Sequence, residues 1–128
     1  MLRQIEINDT LPDRIESAIK LLKELIAACD FKEGDSLPCL SNDLNCDGEV
    51  HDIVDSMVPI YTKEIDEMWF LHRPELEAAY DNAGAGDNPW ENYGMAAVYY
   101  LIYEKLNDWY QNHGQEYFDS LIKKRNAQ

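Results

Sequence analysis

The side chains whose type and spacing carry chemistry in this 128-residue chain are carboxylates. Glu49, Asp52 and Asp55 recur three residues apart, which on a helix sets them along one face with Cβ atoms about 5–6 Å from one another. That interval is comparable to the spacing of neighbouring phosphates, so such a row can stand in for a nucleic-acid backbone. Asp35, Asp43 and Asp47 precede it, Glu64, Asp66 and Glu67 follow it beyond Pro59, and Glu104 and Asp108 lie four apart later in the chain. These residues are the candidate partner-binding, phosphate-mimicking set.

Other chemistries compete for the same stretch. Asp43-Leu44-Asn45-Cys46-Asp47-Gly48-Glu49-Val50 matches the opening of a calcium loop, with oxygen ligands at alternate positions, then glycine, then an apolar residue. The closing position should supply a bidentate carboxylate, but Val54 stands there, so a turn leading into a helix explains the same residues. Cys29, Cys39, Cys46 and His51 lack a Cys-x-x-Cys pair and have irregular spacings, which points to small core residues rather than zinc. His51 lies one helical turn before Asp55, yet no nucleophile or glycine-rich phosphate loop accompanies it. We therefore expect neither an enzyme nor a cofactor.

The elements that must hold these groups read as helices. Thr10 is an N-cap candidate, with Pro12 and Asp13 in the first turn. Ile15, Ile19, Leu22, Ile26 and Cys29 then give an amphipathic stripe. The segment from Asp30 to Gly48 is loop-like. Val50, Ile53, Val54 and Met57 form the apolar face opposite the carboxylate row, and Pro59 should end that helix and enter the first turn of the next.

His72-Arg73-Pro74 predicts a boundary, with a short helix over Pro74–Tyr80. Asn88, Pro89 and Glu91 predict the start of an aromatic-rich helix, Gly114 its stop, and Tyr117–Ile122 a final amphipathic segment ahead of Lys123, Lys124 and Arg125. Met1–Ile7 alternates briefly, as an extended arm within residues 1–9 would. The expected fold is all-α: one compact helical domain over 1–128 with about five or six helices, elongated as a dimer. Met68-Trp69-Phe70-Leu71 is a run too apolar to bury on every side of one helix, so Trp69 and Phe70 are the candidate dimer patch.

Charge narrows the partners. Eleven basic residues face 25 acidic ones, a net charge of −14. From Asp30 to Asp119 there are 20 acids against Lys32, Lys63, Arg73 and Lys105, and from Glu33 to Thr62 there is no lysine or arginine at all. Such a surplus repels nucleic acid and anionic membranes and attracts basic proteins. Duplex DNA carries about one charge per 1.7 Å of axis. Spread over a domain about 35 Å across, the surplus here is roughly one charge per 2.5 Å, within a factor of two of DNA. Tyr99, Tyr100, Tyr103, Trp109 and Tyr110 would need a basic groove to stack bases, so they are assigned to the core and to self-association. Three cysteines, with no signal peptide or membrane-length apolar run, point to a reducing cytoplasm.

One resemblance sharpens this picture. His51, Asp55, Val58-Pro59, Tyr61 and Glu64-Ile65 resemble the central segment of the Ocr-like family of phage anti-restriction proteins. Ile102-Tyr103-Glu104 with Leu106 and Asp108 is similar to a late helix of that family, and together the two segments cover about a third of the chain. Where the family carries an acidic tail, this chain has Lys123-Lys124-Arg125. The resemblance implies an all-helical dimer that imitates DNA charge and blocks the DNA-binding groove of a host defence enzyme. A type I restriction–modification complex is the first expectation; a phage-exclusion methyltransferase or a CRISPR effector is an alternative target. An acidic interaction or calcium-responsive module is the alternative from a different class.

Overall fold

The computed structural model describes residues 10–127 apart from Phe31, Asn42, Cys46 and residues 85–89, with residues 90–92 described by backbone only. Among these residues it is all-helical, with α1 over Leu11–Ala28, α2 over Glu49–Met57, α3 over Thr62–Ala83 and α4 over Trp90–Asn126. The arm expected within residues 1–9 and the cap expected at Asn88 and Pro89 lie outside the described residues.

Helix α1 starts where its sequence directs. The Thr10 hydroxyl accepts from the Asp13 amide at 3.3 Å and the Asp13 carboxylate accepts from the Thr10 amide at 3.2 Å, a reciprocal capping box. Its buried face, however, is Leu11, Arg14, Ala18, Leu21, Leu22 and Ile26, while Ile15 and Ile19 of the expected stripe are only half-buried. The face is rotated because Arg14 is drawn inward. Its guanidinium donates to the Met57 carbonyl and to the Glu64 carboxylate, both at 2.8 Å. Met57 ends α2, where carbonyls lack helical partners and the helix dipole is negative, so a buried cation is favoured there.

The apolar face of α2 is as expected: Val50, Ile53, Val54 and Met57 are all buried. Pro59 does not enter the next helix. It lies buried in the connection, and α3 begins at Thr62 with Tyr61 as its N-cap.

Four helical spans, against the expected five or six, are present among the described residues: the expected boundary at His72-Arg73-Pro74 is there as non-helical backbone at His72 between the two halves of α3, whereas the stop expected at Gly114 lies inside α4. Pro74 has no amide hydrogen to offer the Phe70 carbonyl, and its ring crowds that carbonyl, which interrupts the helical path of α3. The bend is taken up at His72 (φ −131°, ψ 24°). Gly114, by contrast, does not stop α4. It is a buried mid-helix residue, and a Cβ built on it would lie 3.0 Å from the Tyr110 ring and 3.4 Å from Leu37. The glycine admits the loop against the helix.

That contact gives a prediction. Gly114→Val should destabilise the fold by about 1–3 kcal/mol through overpacking, despite valine's better helix propensity, because Tyr110 is locked in the core. Chemical denaturation checks it, and an unchanged midpoint would show that the loop yields freely.

Helix α4 is the central element, packing on each of the other three, while α1 also packs on α2. Ala97, Val98, Leu101, Ile102, Leu106, Tyr110 and Phe118 supply its buried side. The loop from 30 to 48 is fastened over it. Leu40 and Leu44 are buried, and the Tyr110 hydroxyl donates to the Pro38 carbonyl. At the far end Arg125 donates to the carbonyls of Ala27 and Cys29, at 2.8 and 3.2 Å, closing the C-terminus of α1. No described helix is long and apolar enough to cross a membrane.

Candidate partner-binding surface

Helix α2 presents its acids because its other face is locked into the core. Asp52 and Asp55 are exposed, and Glu49 is half-buried with its carboxylate accepting from the Asp47 amide at 2.9 Å. Asp66 and Glu67 are exposed on the first half of α3, and Glu104 and Asp108 on α4. Asp35, Asp43 and Asp47 are exposed on the loop. There the Asp35 carboxylate accepts from the Lys32 amide and that of Asp43 from the Cys39 amide, each at 2.7 Å. The Asp35 and Asp43 carboxylates are thus held by the backbone, not by cations.

Glu64 departs from the expected set. Its carboxylate is mostly buried against Arg14, so it is neutralised and turned inward. The other ion pairs among the described residues are Arg73–Glu77 at 2.7 Å and Lys105–Glu75 at 3.8 Å. None of the nine exposed candidates joins an ion pair among the described residues.

Helices α2 and α4 meet at His51 and Tyr99, whose Nδ1 and hydroxyl are hydrogen-bonded at 2.7 Å, the phenol donating in the tautomer that carries its hydrogen on Nε2. Burial pushes the Tyr99 phenol up to about 12, helped by the charges of Tyr103 and Asp55. Burial likewise pushes Tyr110 up to about 12, with Cys39 and Asp43 adding to it.

Both phenols keep their protons in the fold after an unfolded chain would lose them near pH 10. Stability is therefore fully present below that pH and declines as pH rises through 12. An alkaline ultraviolet titration should show Tyr99 and Tyr110 ionising late among the eight tyrosines. Early ionisation of both would contradict the packing of α4.

In the loop compared above with a calcium site, Gly48 is left-handed (φ 79°). The Asp43 carboxylate and the Asn45 side-chain oxygen are directed at the Cys39 and His51 amides. Among the described residues no group of three or more His, Cys, Asp or Glu side chains is placed to hold a metal. Cys29 donates to the Leu25 carbonyl at 3.2 Å, Cys39 is exposed, and Cys46 lies outside the described residues.

The expected apolar patch is half corrected. Trp69 is buried against Tyr93, with ring centroids 5.3 Å apart, whereas Phe70 is 88% exposed and Leu71 67%. Consecutive helical residues point about 100° apart, so Trp69 turns into the core while Phe70 stands out to solvent, and the two meet only at the rim of a pocket that Asp66, Arg73, Glu77 and Tyr93 also line.

Sequence reasoning missed the Arg14–Glu64 pair, although its signal was present: Arg14 stands at helical spacing within Leu11, Ala18, Leu21 and Leu22. It also missed the His51–Tyr99 contact, which joins residues 48 positions apart and leaves no local trace.

Fold and surface together define a class, an all-α protein whose exposed carboxylates are held by helices and a fastened loop. Comparison with family models, with curated proteins and with solved structures gives no match to this chain.

Proposed function

We propose that this chain inhibits a host defence enzyme by occupying its DNA-binding groove with fixed carboxylates in place of phosphates. A type I restriction–modification complex is the first-choice target. The observation that supports this best is that Asp52, Asp55, Asp66, Glu67, Glu104 and Asp108 are exposed on helices with no ion pair among the described residues. The resemblance of the His51–Ile65 segment to the Ocr-like family supports the same reading. Rigid placement matters because the inhibitor then loses little conformational entropy on binding, while a duplex would have to be bent into the groove.

Competition with duplex DNA for a purified type I complex tests this across a salt series. Displacement that weakens steeply with salt is expected. A lack of displacement, or a salt-independent one, would overturn it.

The same reading includes a homodimer through Phe70. Along one side of α3, a two-fold antiparallel crossing centred on Phe70 sets exposed Lys63 opposite half-buried Glu77 of the second copy and Glu67 opposite its Arg73, so that opposite charges flank the Arg73–Glu77 pair within each chain. Light scattering should give twice the mass of one chain, and Phe70→Asp should halve it. A wild-type monomer would remove the dimer.

A calcium-responsive module is the second reading, favoured by left-handed Gly48 at the sixth position of the Asp43–Val50 loop. Calorimetry separates the two: micromolar calcium binding with a change in helicity would favour the module.

A further inference from the structure

Residues of α1 and α2 line a groove of about 350 Å³ that the carboxylate row alone does not explain. Leu21, Leu25 and Ile53 line it with hydrocarbon, and Glu24, Glu49 and Asp52 line it with carboxylates. Leu21 and Ile53 are nearly buried and belong to the core, so the apolar part of the groove is rigid. Glu49 is oriented by the Asp47 amide, while Glu24 and Asp52 are exposed and join no ion pair among the described residues. No lysine or arginine lines the groove, Arg125 being bonded to the nearby carbonyls of Ala27 and Cys29.

The occupant must satisfy both linings at once. A purely apolar group would strip water from carboxylates and give nothing back. A bare metal ion needs several converging oxygens, and no such cluster is present among the described residues. A long basic side chain satisfies both, because its methylene stem covers hydrocarbon while its cationic head reaches the carboxylates.

We infer that this groove receives one arginine or lysine side chain of the partner protein, stem over Leu21, Leu25 and Ile53 and head among Glu24, Glu49 and Asp52. The inference rests on the proposed function in one respect, that the partner's groove is basic. It goes beyond charge imitation, since a phosphate row offers no apolar surface. Burial of the stem adds a salt-insensitive increment to binding that DNA itself cannot supply.

The test uses the full chain and defined small cations. Methyl resonances of Leu21, Leu25 and Ile53 are followed by NMR during titration with n-butylguanidinium, which has head and stem, with guanidinium, which has only the head, and with n-butanol, which has only a stem. Saturable shifts with n-butylguanidinium at a concentration about ten-fold or more below that for guanidinium are expected from burying a few methylenes. Ala28, the exposed residue closing the groove, gives the control. Ala28→Trp fills the space without changing charge and should weaken n-butylguanidinium about ten-fold. Paired Glu24→Gln and Asp52→Asn should weaken it comparably.

Equal responses to guanidinium and n-butylguanidinium, equal responses to n-butanol and n-butylguanidinium, or indifference to Ala28→Trp, each overturns the inference. The DNA competition is read separately, so a chain that displaces DNA yet shows no groove response loses the receptor and keeps its function. One that shows the response and fails to displace DNA loses the function and keeps the receptor.

Discussion

Reversing Asp52, Asp55, Asp66 and Glu67 together to lysine is expected to weaken competition with duplex DNA by a factor on the order of 10³ or more, while any one reversal changes it only a few-fold. The asymmetry follows from the physics of exposed charge. A single surface ion pair contributes about 0–1 kcal/mol, so no individual carboxylate dominates. Four reversals replace four attractions with four repulsions in the same groove, and the factors multiply.

The salt dependence should flatten at the same time, because fewer opposing charges meet at the interface. None of the four side chains joins an ion pair among the described residues, so the fold should persist. Asp52 lies in the first turn of α2, where reversal forfeits a small helix-dipole term. Circular dichroism checks that the variant is folded. Loss of activity in a single variant, or full activity in the fourfold one, would show that affinity does not arise from a summed surface.

The second large effect concerns stability. Arg14→Ala should cost about 3–5 kcal/mol, since it leaves the mostly buried Glu64 carboxylate without its cation and the Met57 carbonyl at the end of α2 without this donor. For a domain of this size that corresponds to a fall in Tm on the order of 10–20 °C. Replacing both members with leucine should recover much of the loss, because burying two charges is itself expensive.

The two large-effect variants test different things. The fourfold reversal probes the surface and spares the fold of each chain, while its Glu67→Lys member also sets like charges across the proposed dimer, which the solution mass of the variant reads separately. The Arg14 variant loosens the α2–α3 junction that holds Asp55 and Asp66 in relation to each other. If Arg14→Ala melts with the wild type, the pair is incidental to that junction and some other contact holds α1 against it.

The helical class, the N-cap at Thr10, the apolar face of α2 and its end before Pro59, and the boundary at His72-Arg73-Pro74 were all legible in the sequence. Each is a local matter: a cap, a period or a missing amide acts within one or two turns and leaves its mark in adjacent residues. Legible too was the lack of cations from Glu33 to Thr62, a stretch that carries half-buried Glu49 and the exposed Asp52 and Asp55. Tertiary structure alone decided that Gly114 is a packing site, that Trp69 turns inward while Phe70 faces solvent, and that Arg14 withdraws Glu64 from the acidic surface. In each case the free energy depends on what a distant segment brings to the residue. Leu37 reaches Gly114 from 77 positions away and Arg14 meets Glu64 across 50. Spacing along the chain orders the carboxylates; only the packed helices determine which of them remain charged and exposed.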